Sequence, residues 1–341
     1  MNQSIYDAFG VQSPNADTKQ IPVTAVCKTG NGTNQQQIPF QFEFGNLRRI
    51  LRNIDQQRPV WAHGPSGCGK TELFVQIGVR LNRPVHVISF GEESSLRELL
   101  GTMQVVTKPA AENSGEEKGL TSVAKAVWAL AKRGLGMETT FRYGQLPLAM
   151  QDENAIIVLD EFNMAPPGIS AQMNRFLETG SLVIPETGEQ IQCADNVVVV
   201  VTSNTSGGQD ETGLYAGSQA QNGATRSRFA YLQLDYLDEA TERAIITSQV
   251  PDIDAVNTPS DKPFSALVTD VAQSCRTLVN EGVVSLPFTV RNLLQFARAT
   301  KELRDIADGF RDAYFDGLSE MEQTPVAEVF QKIFGVDLAN S

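Results

Sequence analysis

The chain has 341 residues, is 41% hydrophobic and 20% charged, and carries a formal net charge of −12. These are the proportions of an ordinary globular protein with room for two domains, and apolar runs such as residues 197–201 are far too short to span a bilayer. The acidic excess, with no basic run longer than Arg48-Arg49, disfavours nucleic acid, and four scattered cysteines with two histidines exclude a disulfide framework or a zinc site.

Residues 1–38 read as an N-terminal arm or small hairpin, because 21–27 and 38–44 alternate on either side of an Asn-Gly turn. The start lacks the basic end and apolar core of a signal peptide, so a cytoplasmic location is expected. From residue 39 to 235 the pattern is strand–helix alternation, beginning with a helix over 48–54. A short apolar strand at 59–62 then runs into Gly64-Pro65-Ser66-Gly67-Cys68-Gly69-Lys70-Thr71 and a helix over Lys70–Leu81.

That octapeptide is the G-x-x-x-x-G-K-[ST] phosphate loop in its proper setting, strand before and helix after. Its glycines let successive N–H groups turn inward on phosphate oxygens, and the helix N-terminus adds to the same field. Lys70 is placed to reach the β- and γ-phosphates, and the Thr71 hydroxyl to ligate Mg²⁺. The expected ligands are a nucleoside triphosphate and Mg²⁺.

Further strands are expected at 85–89, 155–159, 197–202 and 231–234, rich in β-branched residues and separated by helical patterns, which implies a parallel sheet covered on both faces. An irregular stretch, 107–140, interrupts this core with a loop-like start and an amphipathic helix over 121–133. The strand ending in Asp160-Glu161 delivers two carboxylates to the edge where α/β sheets bind ligands. Asp160 suits a Mg²⁺ contact, and Glu161 suits polarisation of the attacking water. The next strand ends in Thr202-Ser203-Asn204, and Asn204 stands where ATPases with an inserted strand orient that water.

Arg228, in the Ser-Arg-Phe segment before the last core strand, is the candidate finger for a neighbour's γ-phosphate, with Arg226 as the alternative. Beyond Asp235 the periodicity is helical at 237–250, 263–281, 290–308 and 324–334, so 236–341 is expected to be an all-α lid. Arg291 opens one of these helices and is positioned to reach the phosphate from within the subunit.

With these motifs in order, the chain resembles the AAA+ ATPases, in particular the MoxR-like branch and its CobS-like members, the small ATPase subunits of aerobic cobaltochelatase. The more specific matches are the loop beginning Thr202-Ser203-Asn204-Thr205-Ser206-Gly207-Gly208, the segment Tyr143-Gly144-Gln145-Leu146-Pro147, and the C-terminal run Val326-Ala327-Glu328-Val329-Phe330. The resemblance implies a P-loop sheet of order 5-1-4-3-2, a hexameric ring, and a partner carrying a von Willebrand A domain. It also implies that 107–140 is a helix-2 insert and that 181–192 is a hairpin before the sensor strand. Similar proteins occur in bacterial viruses, where the location would be the host cytoplasm.

Three readings therefore compete. One is a chaperone-like motor that remodels a protein substrate, without nucleic acid or membrane. The second is the ATPase of a cobalt or magnesium chelatase. The third is a nucleotide-gated assembly scaffold with incidental hydrolysis.

Overall fold

A computed structural model describes residues 2–4, 8–10, 20–22, 26–28, 34–36, 40–107, 137–208, 221–259 and 261–338. In the arm, β1 (Asn2–Ser4) pairs with β2 (Gln20–Pro22) and β3 (Val26–Lys28) with β4 (Asn34–Gln36), both antiparallel. The expected second strand at 38–44 is a correction: among its described residues there is no strand, and Phe44 already opens helix α1 (Phe44–Asp55). The reason is burial, because Leu47, Ile50 and Ile54 form one apolar face, and the helix extends back until that face is covered. Phe42, just upstream, packs edge-on against Phe9 at 5.0 Å.

The core continues through β5 (Val60–His63), α2 (Lys70–Leu81), β6 (Val85–Ser89), α3 (Leu96–Leu100), β7 (Gly101–Thr107), β8 (Met137–Tyr143) and α4 (Gln145–Met150). It closes with β9 (Ile156–Asp160), α5 (Pro167–Thr179), β10 (Ser181–Val183), β11 (Gln190–Gln192), β12 (Val198–Ser203), α6 (Gly223–Arg226) and β13 (Ala230–Gln233). Five strands form one parallel sheet in the order β13-β5-β12-β9-β6, which reads 5-1-4-3-2 when they are counted among themselves. Each lies within a residue of its expected position, because a strand buried on both faces must be apolar throughout. In β9, Ile156 to Leu159 are all fully buried.

The stretch expected to be irregular from 107 begins and ends differently. β7 and β8 pair antiparallel over their whole lengths, so a two-stranded ribbon leads out to the insert and back. The amphipathic helix at 121–133 lies outside the described residues, as does most of the loop that follows Gly208. β10 and β11 pair antiparallel as a hairpin, and Tyr143 at the root of the ribbon donates to Glu189 on it at 2.6 Å.

The C-terminal part is helical: α7 (Glu239–Gln249), α8 (Phe264–Asn280), α9 (Val290–Leu303), α10 (Ile306–Ala313) and α11 (Glu320–Phe334). The single helix expected over 290–308 is two. Arg304 adopts a left-handed φ of 58°, and Asp305 caps the new helix through the Asp308 N–H at 2.9 Å. The break lets α10 fold back on α9, where a Cβ on Gly309 would lie only 2.3 Å from the Thr300 hydroxyl. Phe264, Phe288, Phe296, Phe310, Phe330 and Phe334 fill the core between these helices, with Phe310 stacked on Phe330 at 4.4 Å. No helix among the described residues is long and apolar enough to cross a membrane.

Helix α11 starts before 324 because Ser319 and Glu322 form a capping box. Glu322 also accepts from the Ser285 N–H at 2.6 Å, tying the loop after α8 to the helix start. These hydrogen bonds hold the Glu322 carboxyl down to about 2, below its ordinary 4.5. A depressed acid stabilises the fold above its unfolded pKa, and that contribution disappears as pH falls toward the folded value. Glu322→Gln is therefore expected to lower the thermal midpoint by about 2 °C at pH 7, with the deficit shrinking between pH 5 and pH 3. Differential scanning fluorimetry of both proteins across that range checks it, and a deficit independent of pH would contradict it.

Candidate functional site

The parallel sheet gathers the C-terminal ends of β5, β9 and β12 at one edge, and the sequence motifs sit there. At Gly64 the chain leaves β5 so close to the next strand's exit that a Cβ would lie 2.0 Å from the Leu234 carbonyl oxygen. Gly67 has φ of 72°, and a Cβ there would meet the Thr289 side chain at 2.4 Å. Glycine at these two points lets the phosphate loop curl tightly under the lid.

Lys70, buried at the start of α2, donates to the carbonyls of Gly64 (2.9 Å) and Pro65 (2.8 Å) and to Oδ1 of Asn204 (2.9 Å). Burial lowers its pKa, offset in part by Cys68, Asp160 and Glu161 nearby. Its three protons thus match three neutral acceptors. The contact with Asn204 also joins the first and third sequence motifs directly.

Asp160 ends β9. Its Oδ1 accepts from the Thr71 hydroxyl at 2.7 Å and from the Thr202 hydroxyl of β12. Because Thr71 donates its proton to Asp160, the lone pairs of its oxygen remain for a cation. Glu161 follows in a left-handed conformation, φ 54° and ψ 38°, with its N–H directed to the Thr202 hydroxyl at 3.3 Å. A non-glycine residue held there costs about 1–3 kcal/mol, and such strain concentrates at functional sites.

A cleft of about 640 Å³ runs over these groups, bordered by Gly67, Lys70, Thr71, Asp160, Glu161 and Asn204 on the core side. Thr289, Arg291, Leu294 and Arg298 border it from the helical C-terminal part. It continues into a hollow of about 430 Å³ between Phe40, Phe42, Asn46 and Leu73 on one side and Tyr236, Leu237 and Thr241 on the other. Every phosphate-loop residue from Ser66 to Thr71 lines the larger cleft, and Gly64 and Pro65 supply carbonyls to Lys70. The residues fit a nucleotide with Mg²⁺: among those described, no group of His, Cys, Asp and Glu forms a metal cage, while Thr71 and Asp160 offer hard oxygens. Mg²⁺ characteristically takes one or two such ligands and completes its shell with phosphate and water.

The arginines divide. Arg291 and Arg298 line the cleft, whereas Arg226 and Arg228 do not. Arg228 follows α6, where it donates to the Ala224 carbonyl at 2.6 Å and pairs with Glu178 of α5 at 3.0 Å. Thr225 anchors the same turn by its hydroxyl bond to Asn174. The sequence reading missed Arg298, which the spacing of seven from Arg291 places on the same face of α9. It also missed Thr202 and the smaller hollow, neither of which has a local signature.

Residues 60–229 match the family model described as the AAA domain of the dynein-related subfamily. The aerobic cobaltochelatase subunit CobS of Sinorhizobium sp is 27% identical over 98% of this chain and 91% of its own length. The gas vesicle ATPase GvpN of Haloferax mediterranei is 27% identical over 62% of this chain and 56% of its own. A solved structure of a Thermotoga maritima RuvB mutant covers 93% of this chain and 76% of its own at 13% identity, with a loose TM-score of 0.44. With its phosphate loop, acidic strand end and inserted strand in order on this sheet, the chain belongs to the AAA+ ATPases, P-loop enzymes that hydrolyse ATP with Mg²⁺, and within them resembles the MoxR-like branch and CobS.

Proposed function

We propose that copies of this chain form a hexameric ring that hydrolyses ATP at its subunit interfaces and uses the cycle to remodel a protein partner, together with a von Willebrand A domain protein. The observation that carries the ring is the division of the arginines. The cleft holds Lys70, Thr71, Asp160, Glu161, Asn204 and Arg291, yet Arg226 and Arg228 lie outside it. An arginine that serves the reaction from there serves a neighbour's nucleotide.

In this reading Lys70 exchanges its three neutral acceptors for β- and γ-phosphate oxygens, a gain because charge-assisted hydrogen bonds are stronger. Asn204, released from Lys70, is free to orient the attacking water, and Glu161 takes up its proton. Thr71 and Asp160 hold the Mg²⁺, whose charge offsets that of the phosphates. Arg291 and Arg298 close over the phosphates from the lid. Arg228 leaves Glu178, a partly exposed surface pair worth about 1 kcal/mol, to reach across the interface. The hairpin of β10 and β11 and the ribbon of β7 and β8 interrupt the core without joining its sheet, and they are the proposed contacts for the partner. A second reading, the ATPase subunit of a cobalt or magnesium chelatase, draws support from the near full-length similarity to CobS. It requires a tetrapyrrole-binding subunit as the partner.

Lys70→Ala is expected to weaken ATP binding about 10- to 100-fold, the worth of one charged hydrogen bond. Glu161→Gln should keep binding and lower turnover by about 10²- to 10⁴-fold. Nucleotide titration and phosphate release on both variants check this, and unchanged turnover in Glu161→Gln would remove Glu161 from the mechanism and favour incidental hydrolysis.

Arg228→Ala should bind ATP normally and hydrolyse it about 10³- to 10⁵-fold more slowly. Mixed with Lys70→Ala subunits, it should regain partial activity, because some interfaces then pair an intact pocket with an intact finger. Mixed rings that form without regaining activity would place Arg228 in its own subunit's site or hand the role to Arg226.

A further inference from the structure

The segment that leaves the last core strand is sewn to the phosphate loop at two points. The Leu234 carbonyl closes on Gly64, and the Tyr236 hydroxyl donates to the Ser66 carbonyl at 2.9 Å. Behind Tyr236, the Arg276 guanidinium of α8 lies over the ring at 4.0 Å from its centroid. Arg276 is buried, forms a bidentate pair with buried Glu242 of α7 (3.1 and 2.8 Å), and donates through Nε to the Phe288 carbonyl at 2.8 Å. Phe288 immediately precedes Thr289, which packs on Gly67 and caps α9, the helix that carries Arg291 and Arg298.

A peptide unit is planar and trans, so its C=O and N–H point in opposite directions. Holding the Ser66 carbonyl out toward Tyr236 turns the Gly67 N–H to the other side of the loop, where Gly67 lines the cleft. We infer that Tyr236 is a positioning residue that fixes the Ser66–Gly67 peptide so that the Gly67 N–H meets phosphate, and that Arg276 locks Tyr236 and the α9 N-terminus into one unit with it. The same arginine therefore sets both the loop that receives the phosphates and the helix that carries the lid arginines. Occupancy of the loop is thereby transmitted to the lid through Ser66, Tyr236 and Arg276. The inference rests on the phosphate-loop reading of the site.

The test is Tyr236→Phe in the full chain. It keeps the ring under Arg276 and removes only the hydroxyl, so the cation–π contact and the lid core stay intact. Loss of one orienting hydrogen bond is expected to raise KM for ATP about 2- to 12-fold while kcat at saturation stays within about twofold. Amide exchange in a peptide spanning residues 64–69 should lose part of its ATP-dependent protection. Arg276→Lys, which keeps the charge but not the planar fork, should reproduce the KM shift, with some loss of stability because the bidentate contact to Glu242 and the Nε bond to Phe288 cannot both be kept. Lys70→Ala is the reference for the underlying site. If it loses ATP while Tyr236→Phe matches wild type in KM and exchange, this inference alone is overturned. A fall in kcat and thermal midpoint with KM unchanged would make Tyr236 merely structural and would also overturn it. If Lys70→Ala binds ATP like wild type, the site reading fails and takes the inference with it.

Discussion

The carboxylate of Asp160 joins the parts of the site that come from different strands. One oxygen accepts protons from Thr71, on the helix after β5, and from Thr202, at the end of β12, while Asp160 itself ends β9. A carboxylate at the end of a buried strand is costly without partners, and these two hydroxyls provide them. The arrangement fixes the mutual register of the three central strand ends. Lys70, bonded to Asn204, spans the same gap one layer away. The gathering of these groups therefore follows from the strand order, because β5 between β13 and β12, with β9 next, brings them to one edge.

A second dependence runs through the exit of β13. The helical C-terminal part has its own aromatic core, built on phenylalanines from α8 to α11. Its attachment to the core is polar and specific: Tyr236 on Ser66, Thr289 against Gly67, and the buried Arg276–Glu242 pair behind them. A buried ion pair of this kind adds little net stability over well-packed apolar residues. In the coupling inferred above, it holds one orientation, the one that relates the phosphate loop to Arg291 and Arg298.

The sheet strands were legible in the sequence because burial on both faces leaves a continuous apolar run, and the phosphate loop because its chemistry needs glycines and Lys-Thr at fixed spacing. What escaped was set by contacts distant in sequence. The helix break at Arg304 lies in Lys301-Glu302-Leu303-Arg304-Asp305, a run of mostly good helix formers, and follows from the close crossing of Gly309 on Thr300. The ribbon of β7 and β8 has no local turn to announce it, since its strands are joined through the long insert. Thr202 reads as an ordinary strand threonine until its hydroxyl is seen on Asp160. Tyr236 touches a residue 170 positions earlier. The left-handed backbone of Glu161 likewise has no glycine to mark it.

The central claim is that Thr71 and Asp160 hold the Mg²⁺ that accompanies ATP in this cleft. The most direct measurement compares ATP affinity with and without Mg²⁺ in the wild-type protein and in Asp160→Asn, an isosteric change that removes the charge. The account predicts that Mg²⁺ strengthens ATP binding in the wild type by more than about tenfold and that Asp160→Asn loses most of this gain while its metal-free affinity does not fall. An identical Mg²⁺ dependence in the two proteins would contradict it.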